Sequence, residues 1–359
     1  MRRALALLTA VGLITTASAC AGGTEGTPTS VKQQGRTTKT STSHAPFHGE
    51  RIDDGQVVKV DKLDGIRLES PDDGTLRSYG IGVDVVDFGT ADVVDVGGDQ
   101  EYGAREDSTL LAFRLRVTPF LEDLSSKVKA TVAIDGRQRS LPEFEYAIDT
   151  PNEDQTLQYL VGVPKDRREV VLELKYADFA QQFDLLEGKR SGEQPDILYR
   201  SDDEPSVYVE NLTPSKLPVT DQDGQPGSYI INVTSAELTY FAPDLGDVPE
   251  DESKAWLSIV YEPTGDGALE FDPSPISCVL PFAAFTLTDR DNKTYPVVDK
   301  HSSMKVNSSN QTLVFEVPGD LTDATLTVKI PNFQCENGGV NVIMTTTGDA
   351  TVDMTLPED

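Results

Sequence analysis

The stretch Gln311-Thr312-Leu313-Val314-Phe315-Glu316-Val317-Pro318 decides the fold class. Leu313, Phe315 and Val317 alternate with Val314 and Glu316, a period of two that sets one row of side chains on one face of an extended chain. Shortly after, Leu326, Val328 and Ile330 alternate with Thr325, Thr327 and Lys329, and both runs read as strands with one buried face. Working outward, Leu172 and Leu174 alternate with Glu173 and Lys175, while Phe113, Leu115 and Val117 alternate with Arg114 and Arg116. Turn formers punctuate these runs at Asp135-Gly136, Gly265-Asp266-Gly267 and Asp291-Asn292. Tyr176 to Leu186 has a mixed spacing that fits either a short helix or a closing strand. Many short strands without βαβ alternation predict an all-β chain of antiparallel sandwich type.

The strands occur twice. Val57, Asp73-Gly74, Ser78-Tyr79, Ile81 and Val83 recur at a constant offset as Val207, Asp223-Gly224, Ser228-Tyr229, Ile231 and Val233. Ala112-Phe113-Arg114-Leu115 then parallels Ala255-Trp256-Leu257-Ser258, across a shorter loop in the second copy. Asp135-Gly136 to Pro142 parallels Asp289-Arg290-Asp291 to Pro296, and Gln155-Thr156-Leu157 with Pro164 parallels Gln311-Thr312-Leu313 with Pro318. Matches kept in order across unequal loops point to a duplicated domain. The expected organisation is a signal peptide over 1–19, a linker over 20–49, and two β-sandwich domains over 50–194 and 195–359.

The N-terminus sets the compartment. Arg2 and Arg3 precede an apolar run from Ala4 to Ile14, and Ala17-Ser18-Ala19 stand before Cys20. That is the pattern of a secretory signal with a small-residue cleavage site, and the run is too short for a spanning helix of about 20 residues. Ala-Ser-Ala-Cys resembles the lipobox of bacterial lipoproteins, although Ala17 stands where that family prefers Leu. The resemblance implies a diacylglyceryl group on the Cys20 thiol and cleavage between Ala19 and Cys20. From Ala21 to about Gly49 the chain is dense in Thr, Ser, Gly and Pro, a composition suited to a flexible tether. His44 and His48 lie there without a rigid frame, as solvated linker residues.

With Cys20 acylated, the chain's three cysteines leave Cys278 and Cys335 as an even pair, expected to form a disulfide in an oxidising compartment. A zinc site is the other use of two cysteines, but CxxC spacing is lacking and the one nearby histidine is His301. The formal net charge of -29 disfavours nucleic acid and anionic lipid surfaces as partners.

The doubled unit, with these strands and turns in this order, resembles the immunoglobulin-like, telokin-like domains of secreted actinobacterial lipoproteins. That resemblance implies two tandem immunoglobulin-like antiparallel β-sandwich domains. The Cys...Trp...Cys spacing of antibody domains is lacking, because Trp256 precedes both Cys278 and Cys335.

Catalytic patterns such as HExxH, GxSxG and the P-loop do not occur, and no catalytic residue or cofactor is assigned. His301 beside Ser302 and Ser303 is read as a solvated loop histidine, since neighbours on a strand point to opposite faces. Calcium candidates are Asp221 and Asp223, with Asp72 and Asp73, and then Asp289 and Asp291. Their turns gather oxygen ligands, but Asp-Gly and Asp-Asn also favour tight turns and none completes an EF-hand. The expected function is a lipid-anchored extracytoplasmic binding or adhesion module that meets the membrane through its lipid and acts on a protein or envelope partner. A structural or accessory envelope lipoprotein and a cryptic hydrolase are the alternatives. Intact mass should show a lipid on Cys20, and Cys20→Ala should release the protein from the membrane fraction; a wild type recovered soluble with a free thiol contradicts the anchor.

Overall fold

The period-two runs become strands, and the strands fall into two sets. The computed structural model describes residues 47–122, 124, 127–149, 153–192, 194–201, 205–242, 247–269, 276–303, 310–337 and 340–358. The expected signal segment, Cys20, His44 and the expected tether through residue 46 lie outside the described residues.

The first set is β1 (Glu50–Ile52), β2 (Val57–Val60), β3 (Thr75–Ser78), β4 (Ile81–Ala91), β5 (Val93–Gly97), β6 (Gln100–Ala104), β7 (Ser108–Pro119), β8 (Val128–Ile134), β9 (Arg137–Ser140), β10 (Gln155–Pro164), β11 (Val170–Tyr176), β12 (Phe179–Asp184) and β13 (Lys189–Ser191). One short helix, α1 (Phe144–Ala147), follows β9. The second set is β14 (Ser206–Glu210), β15 (Ser215–Thr220), β16 (Pro226–Thr239), β17 (Lys254–Gly267), β18 (Ile276–Cys278), β19 (Phe285–Asp289), β20 (Thr294–Pro296), β21 (Gln311–Pro318), β22 (Asp323–Val328), β23 (Asn332–Asn337), β24 (Val340–Thr346) and β25 (Ala350–Thr355).

Named strands pair only within their own set. The first set forms sheets in the orders β2-β10-β7-β4-β3, β13-β12-β11-β8-β9 and β1-β6-β5; the second forms β18-β23-β24-β15-β16-β17-β21, with β14 also on β16, and β20-β19-β22-β25. The sheets are antiparallel apart from the parallel pair of β1 with β6. Setting β3-β4-β7-β10 beside β15-β16-β17-β21, and β9-β8-β11-β12 beside β20-β19-β22-β25, matches the two sets pairing for pairing. Contacts between sheets repeat as well, with β3 touching β11 and β12 while β15 touches β25. The Tyr176–Leu186 ambiguity resolves as a closing strand, because β12 turns back on β11 with Tyr176 opposite Phe179.

The register tests the repeat residue by residue. Leu157 stands opposite Leu115, and Leu313 opposite Ile259, so Gln155-Thr156-Leu157 and Gln311-Thr312-Leu313 occupy equivalent places. Val83 faces Val117 and Val233 faces Tyr261, which sets Ala112 beside Trp256 rather than Ala255. The sequence match there was one residue out of register, a slip that reverses which face each side chain takes. The constant offset also fails upstream. Tyr79-Gly80 makes the β3–β4 turn, with Gly80 at φ 63, whereas Tyr229 is buried within β16 opposite Leu217. Val57 lies on a strand paired with β10, but Val207 lies on one paired with β16.

A main core takes side chains from both sets. Phe113, Leu115 and Val117 of β7 and Leu172 and Leu174 of β11 lie in one buried cluster with Leu257 and Ile259 of β17 and Leu313, Phe315 and Val317 of β21. Each such side chain, fully buried, contributes about 1.5–3 kcal/mol. In the first set the outer face of the same sheet is also covered. Leu110 and Ala112 of β7 and Leu160 of β10 pack with Ile52, Val94 and Ala104 under the β1-β6-β5 sheet. Leu110-Leu111-Ala112 is therefore a continuous apolar run, whereas Arg114 and Arg116, beyond that cover, alternate with core residues. The second set has a smaller cover, where Trp256 and Val314 pack with Ala242.

Phe47–Asp359 forms one compact unit. At the junction Phe241 packs edge-on against Tyr79, Tyr176 and Phe179, at ring centroid distances of 5.7, 5.5 and 5.4 Å. The turn Asp196–Tyr199 buries Ile197 and Leu198. Its Tyr199 donates a hydrogen bond to Gln181, and the next residue, Arg200, donates to the carbonyls of Leu321 at 2.6 Å and Pro357 at 2.7 Å. Adjacent linker residues thus grip the two sets separately. Phe241→Ala should lower the unfolding free energy by about 3–5 kcal/mol, measured by the urea midpoint; a loss below about 1 kcal/mol means these rings do not hold the junction.

Candidate functional site

Five places carry residues that the sequence singled out or chemistry favours. Cys20 is outside the described residues. Cys278 and Cys335 are directly opposite on β18 and β23 and are joined as a disulfide, their Cα atoms 4.2 Å apart. The β23–β24 hairpin has no counterpart in the first set, where β11 turns directly into β12. The bridge fastens that hairpin to β18, and both half-cystines are buried.

Of the aspartates proposed for calcium, Asp221 and Asp289 are acceptors within their own turns. Asp221 Oδ1 accepts the backbone N–H groups of Asp223 and Gln225 at 2.9 and 2.7 Å. Asp289 Oδ1 accepts those of Asp291 and Lys293, each at 2.9 Å, with Asn292 at φ 64 closing the turn. Asp289 Oδ2 also accepts the Tyr295 hydroxyl at 2.8 Å. That bond and the two amides hold the Asp289 carboxyl below the usual carboxylate range, while burial and then the carboxylate push the Tyr295 hydroxyl up. Asp73 pairs with Arg190. Among the described residues, no three His, Cys, Asp or Glu side chains gather closely enough to hold a metal ion.

His301 departs from expectation. It lies at the end of a single turn, Asp299–His301, and its side chain is wholly buried rather than solvated. The imidazole meets the Trp256 ring edge-on at 4.8 Å. Segment 297–303 is knit to β21 by bridges from Val297 to Phe315 and from Ser303 to Thr312, which turns the histidine onto the covered face of the sheet. Ser302 Oγ donates to Val298 O at 3.0 Å and accepts from Val314 N at 2.9 Å, so this hydroxyl ties backbone. Trp256 in the sequence was a signal for such cover, since an indole on the outer face of a sheet needs something over it.

The remaining place was not foreseen. At the turn-bearing end of the first set, a cavity of about 280 Å³ is lined by Asp54, Gly55, Ile134, Asp135, Arg137, Arg139 and Pro164. On β9, Arg137 stands opposite Ile134 and Arg139 opposite Val132, so both point along the inner face at the open edge of the sheet. Gly55, at φ +75, lies beneath Arg139, where a Cβ would stand 3.5 Å from Nε. Of the lining carboxylates, Asp54 accepts the Ser108 hydroxyl, and Asp135 Oδ1 accepts the amides of Arg168 and Glu169 at 3.0 and 3.2 Å. Neither arginine has a carboxylate within ion-pair distance among the described residues, whereas nearby Arg105 pairs with Asp53. A more open hollow of about 820 Å³ adjoins, sharing Asp54 and lined also by Arg51, Arg105 and Asp107. Sequence reading passed over Arg137-Gln138-Arg139 because a lone charged pair on a short strand looks like a solvated edge.

No protein-family model, curated protein or solved structure matches the chain.

The disulfide closes a loop across 57 residues of sequence. In the chain-entropy model, Cys278→Ala with Cys335→Ala should cost about 4 kcal/mol of unfolding free energy. Equal urea midpoints for the double variant and the oxidised wild type would show that the bridge adds nothing.

Proposed function

We propose that this protein is a lipid-anchored extracytoplasmic binding or adhesion module, built from two tandem immunoglobulin-like β-sandwich domains and acting through a protein or envelope partner. The sandwich reading is supported by the pairing orders β9-β8-β11-β12 and β20-β19-β22-β25, each set against β4-β7-β10 or β16-β17-β21 across shared core. The Cys278–Cys335 bridge fits an oxidising compartment. Attachment through Cys20 rests on the signal and lipobox pattern.

The observation that carries the binding reading is the cavity at the turn end of the first domain. Two guanidinium groups without carboxylate partners among the described residues border an apolar floor of Ile134 and Pro164, in a chain with formal net charge -29. Planar guanidinium donors suit a carboxylate on a partner, and the surrounding negative field disfavours acidic partners that cannot seat that group here.

Crosslinking on intact cells, with Arg137→Glu and Arg139→Glu combined, tests this reading. The captured partner should fall by on the order of tenfold while membrane association stays unchanged. Undiminished capture by the double variant removes this cavity as the contact.

A further inference from the structure

The Trp256–His301 contact poses a separate physical question. His301 has a wholly buried side chain, and among the described residues neither Nδ1 nor Nε2 has a hydrogen-bond partner. A buried imidazole without partners costs stability, so such a group calls for an explanation. Asp247 Oδ2 lies 3.7 Å from Nε2, on a half-exposed carboxylate that Lys300 also approaches at 3.3 Å. Trp256 Nε1 donates to the backbone carbonyl of the same Asp247 at 3.0 Å. The charged groups facing this place among the described residues are Asp247, Lys300 on the histidine's own turn, and the Lys254–Glu316 pair on the sheet face bearing Trp256.

We propose that His301 is an acid-sensitive latch on Trp256, in which the neutral ring covers the indole and protonation drives the imidazole out toward Asp247 and water. Neutral imidazole tolerates this place because its apolar ring edge packs on the indole. Imidazolium carries two N–H donors and a full charge, and the buried position satisfies neither donor. A short outward movement brings one N–H within hydrogen-bond reach of Asp247 and gives the other to water. The turn Asp299–His301 is one 3-10 turn anchored by Ser302, so the histidine can leave without unpairing a strand. Desolvation and then Lys300 push the imidazole's proton affinity down, against Asp247, which raises it. The sign follows from linkage. Above about pH 6.5 the ring is neutral whether in or out and the latch is fully closed; as pH falls below that value the released form takes up a proton first, and closure is progressively lost.

The chain has one tryptophan, so its fluorescence reports this place alone. Emission of the full chain is recorded from about pH 7.5 to about pH 5, with acrylamide quenching at each end. Wild type should shift reversibly to longer wavelength and become more quenchable at low pH, while far-UV circular dichroism stays constant. His301→Phe should keep the high-pH spectrum throughout. Lys300→Ala should move the midpoint to higher pH and Asp247→Asn to lower pH, which keeps the test decisive if His301→Phe does not fold. A flat wild-type profile, a His301→Phe profile that titrates like wild type, or no displacement of the midpoint in either charge variant overturns the latch.

Discussion

Phe113 stands opposite Tyr159 on β7 and β10, and Leu257 stands opposite Phe315 on β17 and β21. These directly paired inward side chains need a second sheet over them, and that requirement organises both sets of strands. The sheet supplied is the same in each, β8 with β11 and β12 in the first and β19 with β22 and β25 in the second. Whatever differs between the sets lies outside this arrangement: the β1-β6-β5 cover in the first, the disulfide-held β23–β24 hairpin in the second.

The covers account for the local chemistry. Where the outer face of the first main sheet is apolar, as at Leu110, Ala112 and Leu160, a third sheet closes it. The second main sheet shows Trp256 and Val314 on its outer face, and a short segment with His301 and Val298 suffices. An imidazole used as a lid on an indole brings a titratable group into a dry place. The cavity at Arg137 and Arg139 arises differently, at an uncovered edge where β9 is the last strand and the turn containing Gly55 passes beside it. The arginines remain exposed because they end the sheet, and their stems lie along the same face as Val132 and Ile134.

The junction makes the two sets of strands unequal. Tyr79 in the β3–β4 turn is free to meet Tyr176 and Phe241 because that strand ends early, at Gly80. The residue at the same sequence offset, Tyr229, is committed to the interior of the second half. The two sets thus match at their central strands, while upstream residues take different positions, one of which joins the sets.

The sequence by itself determined the all-β class, the main strands and their inward faces, the Cys278–Cys335 pairing and the equivalence of Gln155-Thr156-Leu157 with Gln311-Thr312-Leu313. These are legible because alternation is local, with each residue's face following from its neighbours two positions away. The single turn of α1 at Phe144–Ala147 was not legible, being too short to show a helical period. Tertiary structure alone decided which residues of β7 and β17 correspond, the third sheet over Leu110, the burial of His301 and the meeting of Arg137 and Arg139 with Gly55. Each joins residues distant in the chain, and whether a polar side chain is wet or dry depends on what another segment lays over it.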